Sequence, residues 1–137
     1  MKLTADRFFT DSNVLLYLLS DVENKKEIAK QLLRTNPVIS TQVITENINV
    51  AFKKFKSLTP QQILQHKNFI CLLSELVLIN EKTIDLALEI KSEYQYQWFD
   101  SLIIASALQA NCTILYSEDM QHNQQIENRL IIINPFI

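Results

Sequence analysis

Apolar and polar positions alternate between two periods along the chain. Arg7 to Thr10 is a short β-prone run that leads into a helical stretch, Val14 to Leu19. Glu23 to Arg34 carries Ile28, Leu32 and Leu33 on one helical face with lysines opposite. Pro37 to Ser40 is short and extended. Thr41 to Phe55 sets Ile44, Ile48, Ala51, Phe52 and Phe55 along a stripe expected to face the core. Pro60 suits the first turn of a helix running to about Glu75. Val77-Leu78-Ile79 reads as a buried strand, and Glu81 to Tyr96 as a further helix. Ser101 to Gln109 is a small, apolar helix that should be buried. Thr113 to Tyr116 and Leu130 to Ile133 are β-branched-rich strands.

Short apolar strands alternating with helices require right-handed crossovers and a parallel sheet covered on both faces. The expected class is therefore α/β. It is a three-layer α/β/α domain with a central, mainly parallel sheet of four to five short strands. Turn marks fall at Asn36-Pro37, Thr59-Pro60, Asn80, Asn111, Asn123 and Asn134-Pro135. No repeat, linker or low-complexity tract separates them, so residues 1–137 read as a single domain.

Composition narrows the chemistry. The chain has 0 glycines, which excludes Walker-type phosphate loops and Rossmann-type dinucleotide turns, because both need backbone that approaches phosphate without a Cβ. Asparagine tolerates positive φ best among the other residues and can serve the turns instead. Thirteen Lys and Arg against fifteen Asp and Glu give a net charge of -2, so bulk charge does not hold the protein to nucleic acid. A local basic strip remains compatible with that balance. Cys71 and Cys112 stand far apart without ligand-spaced neighbours and read as buried free thiols in a reducing compartment. Met1 to Thr10 has charges at Asp6 and Arg7 before any apolar run, unlike a signal peptide. No stretch approaches the roughly 18 apolar residues of a membrane span. The expected location is the cytoplasm.

Ligand sites in open α/β sheets lie beyond the carboxyl ends of the strands. Asp11 ends the first strand, Glu46 lies in the first turns of the helix after Val38 to Ser40, and Asp119 follows Thr113 to Tyr116. Asp100 opens the buried helix. Each has an ordinary structural reading too. Asp100 reads as an N-cap with Phe99 and Ile104 as a hydrophobic staple, and Asp11 as a helix cap or turn residue. Glu46 reads as a solvated helix residue off the apolar stripe, and Asp119 as a turn residue with Glu118 competing for its role. Those readings do not account for four acids converging on one sheet edge. A like-charged cluster is costly without a cation in it, and oxygen ligands without His or Cys select Mg²⁺ or Mn²⁺.

The motifs around these acids resemble those of PIN-domain ribonucleases, and within them most closely VapC-type toxins of bacterial toxin–antitoxin pairs. Thr10-Asp11-Ser12-Asn13-Val14-Leu15-Leu16-Tyr17 is similar to the first motif of that family, and Ser40-Thr41-Gln42-Val43-Ile44-Thr45-Glu46 to the second. Trp98-Phe99-Asp100-Ser101-Leu102-Ile103-Ile104-Ala105-Ser106-Ala107 resembles the third, and Ile114-Leu115-Tyr116-Ser117-Glu118-Asp119-Met120 the fourth. Ile133-Asn134-Pro135-Phe136 also looks like the close of this subgroup. The resemblance spans essentially the whole chain. Related sequences commonly carry Gly where this chain has Asn111 and Asn123.

What the resemblance implies is a Mg²⁺-dependent endoribonuclease of PIN-like fold, the toxin of a toxin–antitoxin pair. Asp11, Asp100 and Asp119 would coordinate the metal, with Glu46 a further ligand, an indirect partner through water, or a base. Products by family analogy carry 5′-phosphate and 3′-hydroxyl ends. Ser12, Asn13 and Ser117 would hydrogen-bond the carboxylates or metal waters, or else serve as caps and turns. A homodimer and a blocking antitoxin are implied as partners. Lys53, Lys54 and Lys56 form the densest basic run. Lys53 lies seven positions beyond Glu46 and so returns to its face, where it could meet RNA phosphates, or the run is a solvated helix face. Tyr94, Tyr96 and Trp98 suggest packing under the Asp100 helix more than base stacking. His66 and His122 have no partners at a recognisable spacing. Rival readings are a PIN domain in RNA maturation, an inactive PIN scaffold, or a receiver-like phosphotransfer domain. The last needs a Lys after its final strand, where this chain has Asn134-Pro135.

Overall fold

The computed structural model describes residues 6–137; the first five residues of the Met1 to Thr10 segment, and with them part of the signal-peptide question, lie outside the described residues. The chain runs β1 (Phe8–Thr10), α1 (Ser12–Leu15), a 3-10 turn (Leu16–Leu19), α2 (Glu23–Arg34), β2 (Val38–Ser40), α3 (Thr41–Lys54) and α4 (Pro60–Leu73). There follow β3 (Glu75–Val77), α5 (Glu81–Tyr94), α6 (Trp98–Gln109), β4 (Ile114–Tyr116), β5 (Gln125–Ile126) and β6 (Leu130–Ile133).

The strands form one sheet in the order β3-β2-β1-β4-β6-β5, parallel except for the β5–β6 pair. From β1 the chain steps outward through β2 to β3, then returns across the sheet to β4 on the other side of β1. Right-handed crossovers in opposite directions put α1 to α4 on one face and α5 and α6 on the other. β1 is thus the point where the strand order reverses, and the crevice between the ends of β1 and β4 is where a ligand site belongs. Thr10 and Tyr116 are paired at those ends. This order also differs from the 2-1-3-4-5 order of receiver-like sheets.

Core burial holds the layers together. Phe9, Ile39, Leu115 and Ile132 fill the sheet's interior, and Leu15, Ile103 and Ile104 cover it from the helices. Each such side chain contributes about 1.5–3 kcal/mol of transfer free energy. Every residue of α6 from Ser101 to Leu108 is buried, so this stretch of the helix is clamped between sheet and α5. Asparagine does take over the work of glycine: Asn36, Asn111, Asn123 and Asn128 all have positive φ. Gln95 and Glu127 do so as well, and Gln95, at φ 62, stops α5 short of the expected Tyr96. Asn80 instead caps α5, accepting from the Thr83 N–H.

Several boundaries differ from the sequence expectation, each for a local reason. The first helix divides into α1 and a 3-10 turn. The second half of the sheet holds an unanticipated antiparallel strand, β5, only two residues long and therefore without periodicity to detect. β3 begins at Glu75 rather than Val77 and is an exposed edge, not a buried strand. Arg7 clamps Glu75 through two bonds of 2.8 and 2.6 Å, while Leu76 and Leu78 face solvent. α6 starts at Trp98, capped by Gln97 without a side-chain bond, so Asp100 lies inside its first turn rather than opening it. α3 turns Gln42, Val43, Asn47 and Ala51 inward, while Phe52 of the expected stripe stands exposed. The thiols of Cys71 and Cys112 are free, but only Cys112 is buried. Among the described residues no helix is long and apolar enough to cross a membrane.

Candidate active site

Asp11 follows β1 directly and is fixed there by the sheet: its N–H donates to the Tyr116 carbonyl at 2.9 Å. It caps α1, Oδ1 accepting from the Ser12 N–H at 2.7 Å. Oδ2 accepts from the Ser117 hydroxyl at 2.9 Å and from the Asn13 amide at 3.3 Å. Asn13 also accepts from the Glu118 N–H at 3.2 Å, tying the loop after β4 to α1. Ser12, Asn13 and Ser117 therefore all surround this carboxyl. Burial above all, with the charges of Glu46 and Asp100, pushes Asp11 up to about 7 against the lowering effect of the Ser117 and Ser12 bonds.

Glu46 stands on α3, one helical turn after Gln42. The Gln42 amide donates to Glu46 Oε2 at 3.1 Å and to the Phe99 carbonyl at 2.9 Å, so one side chain joins α3, the carboxylate and the start of α6. The Ser12 hydroxyl reaches Glu46 Oε1 at 3.5 Å. Half-buried, Glu46 is raised by desolvation and by the charge of Asp100, although the Gln42 bond works to lower it. Asp100, in the first turn of α6, is raised by burial and then by Asp119. Asp11, Glu46 and Asp100 thus each feel a neighbouring carboxylate.

Asp11, Glu46, Asp100 and Asp119 line one cavity of about 370 Å³, with Lys54 at its rim. Lys54, not Lys53, reaches it, because α3 turns the eighth position after Glu46 rather than the seventh toward the opening; Lys53 and Lys56 are exposed elsewhere. Among the described residues no three acidic, histidine or cysteine side chains converge into a ready-made cation cage. An open set of carboxylates still suits Mg²⁺, which keeps several waters and needs only one or two protein carboxylates. Burial raises Asp11, Glu46 and Asp100, and a neighbouring carboxylate raises each of them further; that pattern fits a cation in the cavity, because a cation offsets such repulsion.

Glu118 is committed elsewhere. It accepts from the Tyr17 hydroxyl at 2.7 Å and pairs with Lys25 at 2.6 Å. Burial raises Glu118, but those bonds outweigh it and leave the group below its ordinary value. The Lys25 ammonium also sits 4.9 Å from the Tyr17 ring centre. Asp119, next in the chain, faces the cavity instead.

Some residues at the site gave no warning in the sequence. Gln42 could have been found from its four-residue spacing before Glu46. Asn47 and His66 could not: Asn47 Oδ1 meets His66 Nε2 at 2.6 Å across α3 and α4, a contact no linear spacing encodes. His122 likewise has a partner, its Nδ1 accepting from the Asn134 N–H at 2.9 Å. Tyr96 packs on the main core, and Trp98 on Ala87, Leu102 and Ala105. The Tyr94 hydroxyl donates to Glu127 at 2.9 Å.

A model of the PIN domain family matches residues 8–125. A toxin–antitoxin complex from Klebsiella pneumoniae is similar in structure, with a TM-score of 0.70 and 20% identity over 94% of this chain and 97% of that one. VapC20 of Mycobacterium tuberculosis, a Sarcin-Ricin loop cleaving toxin, is similar with a TM-score of 0.64 and 15% identity over 82% of this chain and 89% of that one. At these identities the likeness is one of fold. No curated protein matches the sequence significantly.

Proposed function

The chain belongs to the PIN domain family, and from that premise we propose that it is a divalent-metal-dependent endoribonuclease, the toxin of a toxin–antitoxin pair acting in the cytoplasm. The observation that carries this reading is the single cavity lined by Asp11, Glu46, Asp100 and Asp119, in which burial and then neighbouring carboxylates hold Asp11, Glu46 and Asp100 above their ordinary values. The likeness to a toxin–antitoxin complex and to an RNA-cleaving toxin supports it.

In this reading Asp11, Asp100, Asp119 and Glu46 hold Mg²⁺ or Mn²⁺. The ion, when bound, supplies an activated water near neutral pH and polarises the scissile phosphate. The protein's own part is orientation. Ser12, Asn13 and Ser117 hold both oxygens of Asp11 in one rotamer, and Gln42 holds Glu46 facing the cavity. Glu46, half-buried and held toward the cavity by Gln42, would serve as a further ligand, as a partner through water, or as the base that takes a proton from the attacking water. Lys54 at the rim offers a cation to a neighbouring phosphate. The partners are RNA, an antitoxin that covers the cavity, and a second copy of the chain.

Cleavage of structured RNA with Mg²⁺, with and without EDTA, tests this. The intact protein should cut only with metal, and Asp11→Asn and Asp100→Asn should each lose at least about 100-fold in rate, since electrostatic stabilisation is the main contribution at such a site. Metal-independent cutting, or full activity in both variants, overturns the proposal.

A further inference from the structure

Behind the carboxylates runs a buried chain of hydrogen bonds. His66 on α4 is 8% exposed and Asn47 on α3 is 2% exposed. His66 Nε2 lies 2.6 Å from Asn47 Oδ1, and Asn47 Nδ2 donates to the Ser12 carbonyl at 3.1 Å. That second bond fixes the orientation of the Asn47 amide, because only its nitrogen can serve a carbonyl. Its oxygen is left toward the imidazole, so His66 Nε2 must carry the proton and donate. Desolvation lowers His66 to about 4, which keeps the ring neutral and this tautomer available at neutral pH. At the other end Ser12 divides its groups between two acids. Its N–H serves Asp11 Oδ1 at 2.7 Å, and its hydroxyl faces Glu46 Oε1 at 3.5 Å.

We propose that His66 and Asn47 are positioning residues for the acidic cavity: the imidazole aims the Asn47 amide, and the amide sets Ser12, which in turn aims Asp11 and Glu46. Neither residue is a carboxylate ligand: Asn47 lines the cavity with both its amide atoms committed to His66 and Ser12, and His66 lies outside it. A purely structural role would stabilise α1, α3 and α4 together without changing what the carboxylates bind. A positioning role changes the cavity's affinity for a cation. The activity arm of the test rests on the nuclease reading; the affinity arm rests only on the cation site within it.

The experiment titrates Mn²⁺ alone into the wild type, His66→Leu, His66→Gln, Asn47→Leu and the double Leu variant by calorimetry, and measures RNA cleavage in parallel. Glutamine can present its Nε2 donor where the imidazole does. The two Leu variants should weaken Mn²⁺ affinity about tenfold or more, in the range seen for residues that orient metal ligands. They should also lower kcat with little change in KM. The double variant should be no weaker than Asn47→Leu, because the links act in series. His66→Gln should stay within about threefold of the wild type, closer to it than the loss assigned to a missing orienting group. Wild-type affinity in folded Leu variants, multiplied losses in the double variant, or a His66→Gln protein as poor as His66→Leu would each overturn the proposal, as would a wild type that binds no Mn²⁺. If the wild type binds Mn²⁺ but cuts no RNA, the nuclease reading fails and the affinities alone decide. Should the Leu variants not fold, the ring-nitrogen spectrum of wild-type His66 still decides: protonated Nε2 is expected, and protonated Nδ1 with bare Nε2 overturns the chain of bonds.

Discussion

Ser117 and Asp11 stand 106 residues apart in the chain and meet through one buried hydrogen bond, the Ser117 hydroxyl donating to Asp11 Oδ2 at 2.9 Å. The bond ties the segments that follow β1 and β4 together and serves the ionised form of the carboxyl. Ser117→Ala should therefore lower stability by about 1–3 kcal/mol, the cost of leaving a buried acceptor short of a donor. Because the hydroxyl works to hold Asp11 down, its removal should push that carboxyl further up. Urea unfolding in EDTA checks both effects: the deficit of the variant should be larger at pH 8 than at pH 5.

Asp11 itself sets a pH dependence. Its folded-state value, about 7, lies above that of an ordinary aspartate, so the folded protein binds the proton more tightly than the unfolded chain. Stability from this group is then fully present below the ordinary aspartate range, near pH 4, and is lost as pH rises through 7. Metal-free wild type should lose melting temperature across that window more steeply than Asp11→Asn, which caps α1 equally well and carries no charge. A divalent cation added at pH 8 should restore much of the wild type's loss and little of the variant's. Parallel pH profiles for the two proteins would show that Asp11 is not the group responsible.

Glu118 and Asp119 are neighbours with different commitments. Glu118 is tied to Tyr17 and Lys25, whereas Asp119 lines the cavity and raises Asp100. Under the proposed function, Asp119→Asn should lose at least about tenfold in cleavage rate, as expected for a lost metal ligand. Glu118→Gln should lose a little thermal stability and keep activity within a few-fold, since a partly exposed pair is weak. Rate assays with melting curves on both variants separate the roles. Equal losses of activity would mean that the loop is read one residue out of step.

How far the sequence shows this site can be followed residue by residue. Asp11 was legible because a carboxylate directly after a β-prone run must stand at the strand's end. Asp100 was legible as a residue but not in its setting: an acid in a first turn resembles a cap, and Gln97, which ends the preceding extended segment, has no capping side chain to betray it. The inward face of α3 keeps Ile44 and Ala51 of the expected stripe but departs from it at Phe52, for a related reason. Phe52 and Ile48 outweigh Gln42 and Asn47 in hydropathy, yet the two amides are the buried pair: Asn47 bonds His66 on α4 and the Ser12 carbonyl on α1, and the Gln42 nitrogen bonds Glu46 and the Phe99 carbonyl on α6. Such polar burial depends on contacts between distant segments, which periodicity does not carry. Strand β3 shows the converse, since in the apolar run Leu76 to Ile79 two residues, Leu76 and Leu78, stand exposed at a sheet edge where Arg7 clamps Glu75.

Lys54 gives the sharpest test of how the cavity meets its substrate. It lines the acidic cavity and also the adjoining one beside Tyr17 and Phe55, while Lys53 one position earlier lines neither. A phosphate contact should show as a slope in the salt dependence of binding. Reversing Lys54 to Glu should weaken binding of a structured RNA in EDTA and flatten its log–log slope by about 1, the release of one counterion. The same reversal at Lys53 changes the net charge equally and places it off the cavity, so it should shift affinity less and leave the slope nearly unchanged. Fluorescence anisotropy from 50 to 200 mM salt, a range wide enough to resolve one contact, measures both. Equal effects at the two lysines would mean that diffuse charge, not a contact at the cavity rim, draws RNA to this face.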